Sequence, residues 1–130
     1  MRIALLIALC LVLAACKKRP QPTLPLLPEA RLMAAGDNVE TADSTLFHTI
    51  LRYPGHAEQA FAFYAPEMER RGATRSADIY SDGNIDHQGG FGRDGAASAK
   101  DPSRPGVWMT AIELPDETRI DIWENVPKAH

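Results

Sequence analysis

Alternating apolar and polar residues predict most of the strands, because successive side chains of a strand point to opposite faces. The alternation runs through residues 44–53, 107–114 and 118–126, and more weakly through 74–80 and 31–35. Pro115-Asp116-Glu117 separates the second segment from the third. This is good chemistry for a tight turn, so we expect these two segments to form an antiparallel hairpin.

The strand pattern also predicts which side chains share a face. The sets expected to share a face are Phe47, Leu51 and Tyr53; Leu46, His48 and Ile50; Trp108, Ile112 and Leu114; and Ile120, Ile122 and Val126. Trp123 faces away from Ile120 and Ile122, so it is expected either to cover the second face of the sheet or to be exposed.

Residues 57–71 show helical spacing, with apolar residues recurring three and four positions apart. The predicted buried side consists of Ala57, Ala60, Phe61, Tyr64 and Met68. Pro54 is expected in the first turn, where its missing N–H is not needed, and Gly72 is expected to end the helix. Pro66 falls on the solvent side, and we expect it to kink the helix.

These elements predict an α+β fold, in which one helix packs on one face of an antiparallel sheet of four to five strands. The expected order is β-β-α-β-β-β. A long loop rich in glycine and aspartate, residues 81–106, precedes the last two strands.

The N-terminus has the charge and length of a signal peptide. Met1-Arg2 is followed by an uncharged run from Ile3 to Ala15, and Lys17-Lys18-Arg19 then ends it. A bilayer-spanning helix needs about 20 apolar residues, so this run is short for a transmembrane anchor.

Leu13-Ala14-Ala15-Cys16 resembles the lipobox of bacterial lipoproteins. The resemblance implies that the chain is cut before Cys16 and that Cys16 receives a diacylglyceryl group, with its new amino group usually acylated. In that family an Asp after the cysteine favours inner-membrane retention. Lys17 therefore favours the outer membrane, facing the periplasm, if the source is Gram-negative. The alternative is an ordinary signal peptide, or a short membrane helix, with an incidental cysteine.

The chain then divides into a signal peptide (1–15), a lipidated proline-rich tether (16–28) and an α+β domain (29–130). Four prolines within residues 16–28 favour an extended spacer. Cys10 would leave with the signal and Cys16 would carry lipid, so neither is expected to form a disulfide or bind zinc. The domain has 10 Lys and Arg against 17 Asp and Glu, a net charge of −7, which argues against a nucleic-acid partner.

The domain also resembles a class of small secreted or lipid-anchored bacterial domains. The likeness covers about residues 26–80 and is carried by Pro28-Glu29-Ala30 and by Phe63-Tyr64-x-x-x-Met68-x-x-x-Gly72. In that class a tryptophan follows the glycine, where this chain has Ala73. The resemblance implies fold and location rather than a particular activity.

Candidate chemistry concentrates in residues 81–95. Asp82, Asn84 and Asp86 alternate as in the start of a calcium loop, and oxygen ligands at every second residue can wrap a hard cation. His87 stands where that loop needs glycine, and Arg93 stands where it needs glutamate. A cation site that uses Asp94 or His87 instead stays open, as does a polar hairpin turn or a mobile loop.

We therefore expect a non-enzymatic envelope lipoprotein, held in the membrane through the lipid on Cys16 and bound to an envelope protein or a cell-wall component. No cofactor is expected. The alternatives are a cation- or small-ligand-binding domain that uses the 81–95 loop and a small hydrolase. Only scattered histidines and aspartates favour the hydrolase. His48 is expected to be a half-buried strand residue and His56 to be exposed, and His130 is terminal.

Overall fold

A computed structural model describes residues 20–35, 38–88 and 96–129 of the chain. These residues form one helix and nine strands. The helix is α1 (Ala57–Arg70), and the strands are β1 (Arg31–Ala35), β2 (Val39–Glu40), β3 (Ser44–Tyr53), β4 (Thr74–Ser76), β5 (Ile79–Ser81), β6 (Ile85–Gln88), β7 (Ala96–Ala99), β8 (Gly106–Glu113) and β9 (Thr118–Pro127).

Seven of the strands form one antiparallel sheet. The strand order is β1-β3-β9-β8-β5-β4, and β2 pairs with β3 beside β1. β3 and β9 pair along their whole lengths, from Ser44 opposite Pro127 to Tyr53 opposite Thr118. The expected hairpin of β8 and β9 is confirmed. An α+β fold with one helix on a largely antiparallel sheet is therefore confirmed.

The predicted number of strands was too small. Residues 74–80 form two strands rather than one, because the chain reverses at Ala77, whose φ of 51° lies in the left-handed region. The region expected to be one long loop, 81–106, contains β6 and β7, which pair with each other as a separate two-stranded sheet. These strands have three or four residues each, which is too short for alternation to stand out in the sequence.

The helix buries the predicted side and begins later than expected. Its buried residues are Ala60, Phe61, Tyr64 and Met68. Pro54 lies before the helix, which starts at Ala57. There the Gln59 side chain accepts a hydrogen bond from the His56 N–H (2.7 Å), and Glu113 accepts one from the Ala57 N–H (3.2 Å). Gly72, with a φ of 82°, follows its C-terminus, and Pro66 is exposed.

The main core fills the space between α1 and the sheet, and the proline-rich segment contributes to it. We call residues 20–28 the N-terminal arm. Leu27 of the arm is 5% exposed and packs in this core. The Tyr64 hydroxyl donates to the Pro25 carbonyl (2.8 Å) and accepts from the Leu27 N–H (3.1 Å). The described part of the predicted tether therefore lies against the domain instead of extending away from it.

A second, smaller core lies on the opposite face of the sheet. Leu46, Trp108 and Trp123 project there and are covered by Ile85 of the β6–β7 hairpin. Both faces of the sheet are therefore partly covered, one by the helix and the arm and the other by this hairpin.

Candidate functional site

A groove of about 830 Å³ opens between the N-terminal arm and the helix-side face of the sheet. Its volume falls within the roughly 300–1,000 Å³ that is usual for small-ligand sites. The apolar side chains that line it include Leu24, Leu26, Leu32, Phe47 and Ile122, and the polar ones include Asn38, Glu40, Thr49, Glu124 and Lys128. The arm, β1, β2, the middle of β3 and the second half of β9 therefore form its walls.

A buried carboxylate holds the arm in place as one wall of the groove. Glu124 Oε1 accepts hydrogen bonds from the backbone N–H groups of Thr23 (2.8 Å) and Leu24 (3.3 Å), and its Oε2 accepts one from the Thr23 hydroxyl. The Glu124 side chain is only 4% exposed. Its charge needs partners because burying an unpaired carboxylate is costly.

Arg71, directly after the helix, completes this arrangement. Its guanidinium contacts Glu124 Oε2 (3.2 Å), Glu67 Oε1 (2.9 Å) and the Thr23 hydroxyl (2.7 Å). The helix end, the last strand and the arm are thereby joined by one ionic network, which fixes the distance between the two walls of the groove.

The groove is amphipathic because charged groups lie on its rim. Lys128 Nζ contacts Glu40 Oε2 (2.9 Å) and donates to the Thr41 carbonyl (2.8 Å). Phe47 and Ile122 on the floor are buried, whereas Leu26 and Leu32 at the mouth are exposed. This arrangement suits a ligand with an apolar body and a polar end.

A second polar cluster occupies the opposite face of the sheet. His48 Nε2 lies 2.9 Å from Asp121 Oδ1, and Arg119 Nε donates to Asp121 Oδ2 (2.9 Å). The His48 ring stacks on Trp123 with a centroid distance of 4.0 Å, and the His87 ring stacks on Trp108 at 4.1 Å. His48 and Asp121 each expose only 4% of their side chains, so this pair is almost entirely shielded from solvent.

The cluster perturbs two pKa values. Burial, the largest single effect, would raise the pKa of Asp121, but the hydrogen bonds from His48 and Arg119 outweigh it and lower that pKa below its usual value. Burial lowers the pKa of His87. The nearby His48 lowers it further, and Asp121 opposes the change.

The structure places the predicted cation ligands in separate roles. Asp82 Oδ1 accepts from the Asn84 N–H (3.0 Å), as in a turn. The Asn84 amide donates to the carbonyls of Asp101, Arg104 and Pro105 (3.1 Å each), and its Oδ1 accepts from the Asp101 N–H. Asp86 is exposed on β6. Within residues 20–35, 38–88 and 96–129, no group of three or more His, Cys, Asp or Glu side chains is placed to hold a metal ion.

The remaining predicted residues have mixed outcomes. His56 is exposed as expected, but His48 is fully buried rather than half-buried, because it stacks on Trp123. Trp123 covers the second face, the first of its two predicted positions. Cys10, Cys16, Arg93, Asp94 and His130 lie outside the described residues.

The sequence did not point to the groove. The only available signal was the presence of Leu24, Leu26 and Leu27 among the prolines of the predicted extended spacer. Three leucines in nine residues are unusual for a solvated linker, whose composition is ordinarily polar.

Comparisons of the chain with models of protein families, with curated proteins and with solved structures found no match. In the part of the chain that the structure describes, no helix is both long enough and apolar enough to cross a bilayer.

Proposed function

We propose that this protein is a lipid-anchored lipoprotein of the bacterial envelope that binds the apolar chain of an envelope lipid in the groove. In a Gram-negative source it is anchored in the outer membrane and faces the periplasm. The anchor rests on the sequence around Cys16, and the binding function rests on the groove. This is a binding function, in line with the expectation of a non-enzymatic module.

One observation carries the proposal: the amphipathic groove has the proline-rich arm as a wall. Pro20 and Pro22 line it together with the mouth residues Leu26 and Leu32. Cys16 is only four residues before Pro20. A lipid on Cys16 would therefore hold the groove near a membrane, where acyl chains are concentrated.

The anchor is tested on the full-length chain produced in a bacterium. We expect the purified protein to carry the mass of a diacylglyceryl group on Cys16 and to fractionate with membranes. We expect Cys16→Ser to remove that mass. An unmodified Cys16 in the wild-type protein would contradict the anchor.

The groove is tested by photocrosslinking in vesicles that contain the lipidated protein and a diazirine-bearing fatty acid. Thr49→Phe narrows the groove, and Thr74→Phe places the same side chain on the exposed strand β4 as a matched control. We expect crosslinks on residues 20–26 and 47–49 in the wild type and in Thr74→Phe, and their loss in Thr49→Phe. Equal labelling of the two variants would refute binding in the groove.

A further inference from the structure

The exposed apolar side chains are concentrated at one edge of the sheet. Six large apolar residues of the described chain are more than a third exposed, and four of them surround the β1–β2 edge: Leu26 (58%), Leu32 (55%), Met33 (48%) and Val39 (40%). Leu26 and Leu32 also form the mouth of the groove. We call Leu26, Leu32 and Met33 the apolar lip.

The chain upstream of the groove limits how far the apolar lip can lie from the anchor. Pro20 lies four residue steps after Cys16, and each step spans at most about 3.6 Å, so the groove wall begins within roughly 14 Å of the lipidated residue. Lys17, Lys18 and Arg19 fill this interval. Basic residues beside a membrane are attracted to anionic head groups, which favours a short separation.

We infer that the apolar lip is a membrane-docking surface that inserts into the boundary between head groups and acyl chains and turns the mouth of the groove toward the bilayer. This inference rests on the proposed anchor at Cys16. An anchored domain meets the bilayer at a high effective concentration, so a few apolar side chains are enough to orient it. The apolar faces of interfacial helices are buried about 5–10 Å into the boundary between head groups and acyl chains, and exposed leucine and methionine side chains suit the same layer.

In this orientation the groove opens toward the membrane, which contains the acyl chains that it is proposed to bind. The mouth residues Leu26 and Leu32 would contact acyl chains directly, so an apolar chain could enter without crossing water. The opposite edge of the sheet, at β4, would then face away from the membrane. Four strands lie between β1 and β4, so five inter-strand spacings place the two edges about 24 Å apart.

The test uses labels on the full-length lipidated protein, because both natural cysteines precede the described residues and Cys16 is blocked by lipid. Met33→Cys and Leu26→Cys carry an environment-sensitive NBD dye on the apolar lip. Ser76→Cys carries it on the exposed strand β4 as a matched control. The proteins are reconstituted into vesicles of phosphatidylethanolamine and phosphatidylglycerol, with or without nitroxide-labelled phosphatidylcholine.

We expect blue-shifted emission at positions 26 and 33, and loss of that emission when nitroxide lipid is present. Position 76 should show neither effect. Identical behaviour at all three positions would overturn the inference. A blue shift at 26 and 33 without quenching by the lipid would also overturn it, since it would show that a protein, such as a second copy of this chain, covers the surface.

Mass spectrometry of the same samples distinguishes a failure of the docking surface from a failure of the anchor at Cys16. If Cys16 carries lipid and the labels on the apolar lip are not quenched, the docking surface fails while the anchor stands. If Cys16 carries no lipid, the anchor fails and the docking inference fails with it. Thermal unfolding monitored by circular dichroism shows whether each labelled variant is folded. Labels at two positions of the apolar lip keep the test valid if one of the substitutions disrupts the fold.

Discussion

Asp121 keeps its charge inside the protein because three hydrogen bonds meet its carboxylate. His48 Nε2 lies 2.9 Å from Oδ1, and Arg119 donates to both oxygens at 2.9 and 3.1 Å. The pKa of this carboxyl is lowered, so the group is ionised near neutral pH and His48 acts as the donor from Nε2. This hydrogen-bonded cluster lies on the second face of the sheet together with Trp123 of its small apolar core.

Asp121→Asn should lower the free energy of unfolding by about 1.5–3 kcal/mol near neutral pH, because hydrogen bonds to charged groups have this magnitude. The pKa of Asp121 in the folded state lies below its ordinary value of 3.8. The charge therefore stabilises the fold fully above about pH 4, and this contribution is lost as the pH falls through the folded-state pKa.

Urea denaturation of the wild type and Asp121→Asn between neutral pH and pH 3 measures this difference. We expect the gap between them to shrink with acid. Asp86→Asn on the exposed side of β6 is the control and should change stability by less than about 0.5 kcal/mol. A gap that is constant with pH would argue against a role for the charge.

Among the elements, the β6–β7 hairpin differs most from its predicted form. Ile85 and His87 point toward the sheet, where Ile85 joins the second core and His87 stacks on Trp108. Asp86 and Gln88 alternate with them and are exposed. Because the hairpin is short and pairs with no other strand among the described residues, its position depends on these side chains rather than on sheet hydrogen bonds.

The docking of this hairpin should weaken in mild acid. The folded-state pKa of His87 is below its ordinary value of 6.5, owing first to burial and then to His48, with Asp121 opposing. The neutral His87 ring therefore stabilises the docked hairpin fully above about pH 6.5, and this contribution is lost as the pH falls through the folded-state pKa. Hydrogen exchange at residues 85–88 and 96–99, corrected for intrinsic rates, should show less protection at about pH 5 than at about pH 7.5.

His87→Phe keeps an aromatic ring on Trp108 and removes the titration, so its protection should not vary over this pH range. His56→Phe, at the exposed start of α1, should behave like the wild type. If His87→Phe lost protection in acid as the wild type does, another group would be responsible.

At the scale of the whole molecule, neighbouring residues of the N-terminal arm lie in opposite environments. Leu27 is 5% exposed and packs in the main core, whereas Leu26 is 58% exposed on the apolar lip. The arm is hydrogen-bonded to α1 through Tyr64 and to β9 through Glu124. The globular unit therefore begins inside the proline-rich segment.

Leu27→Ala should destabilise the folded protein by about 2–5 kcal/mol, as is usual for removing a buried leucine side chain. Leu26→Ala should change stability by less than about 0.5 kcal/mol, because an exposed side chain loses little packing. Chemical denaturation of the two purified variants measures both effects. Equal destabilisation would show that Leu26 also belongs to the core.

Whether an element was predicted correctly depended on how many residues of alternating or helical pattern it contains. Strand β3, with ten alternating residues, was predicted from Ser44 to Tyr53, as observed, and the buried side of α1 was predicted down to Met68. β4 to β7 have three or four residues each, so the weak alternation of 74–80 did not separate β4 from β5, and β6 and β7 were not predicted. The groove was missed because two of its walls, the arm and β9, are about 100 residues apart in the chain.

The sequence alone determined the α+β class, the long strands, the helix with its buried side and the expectation of a lipid anchor at Cys16. Each of these depends on neighbouring residues, whose spacing and chemistry can be read along the chain. Only the tertiary structure decided that the proline-rich segment packs on the domain, that Glu124 fastens it and that a groove opens beside it. These features depend on contacts between distant segments, which local periodicity does not encode.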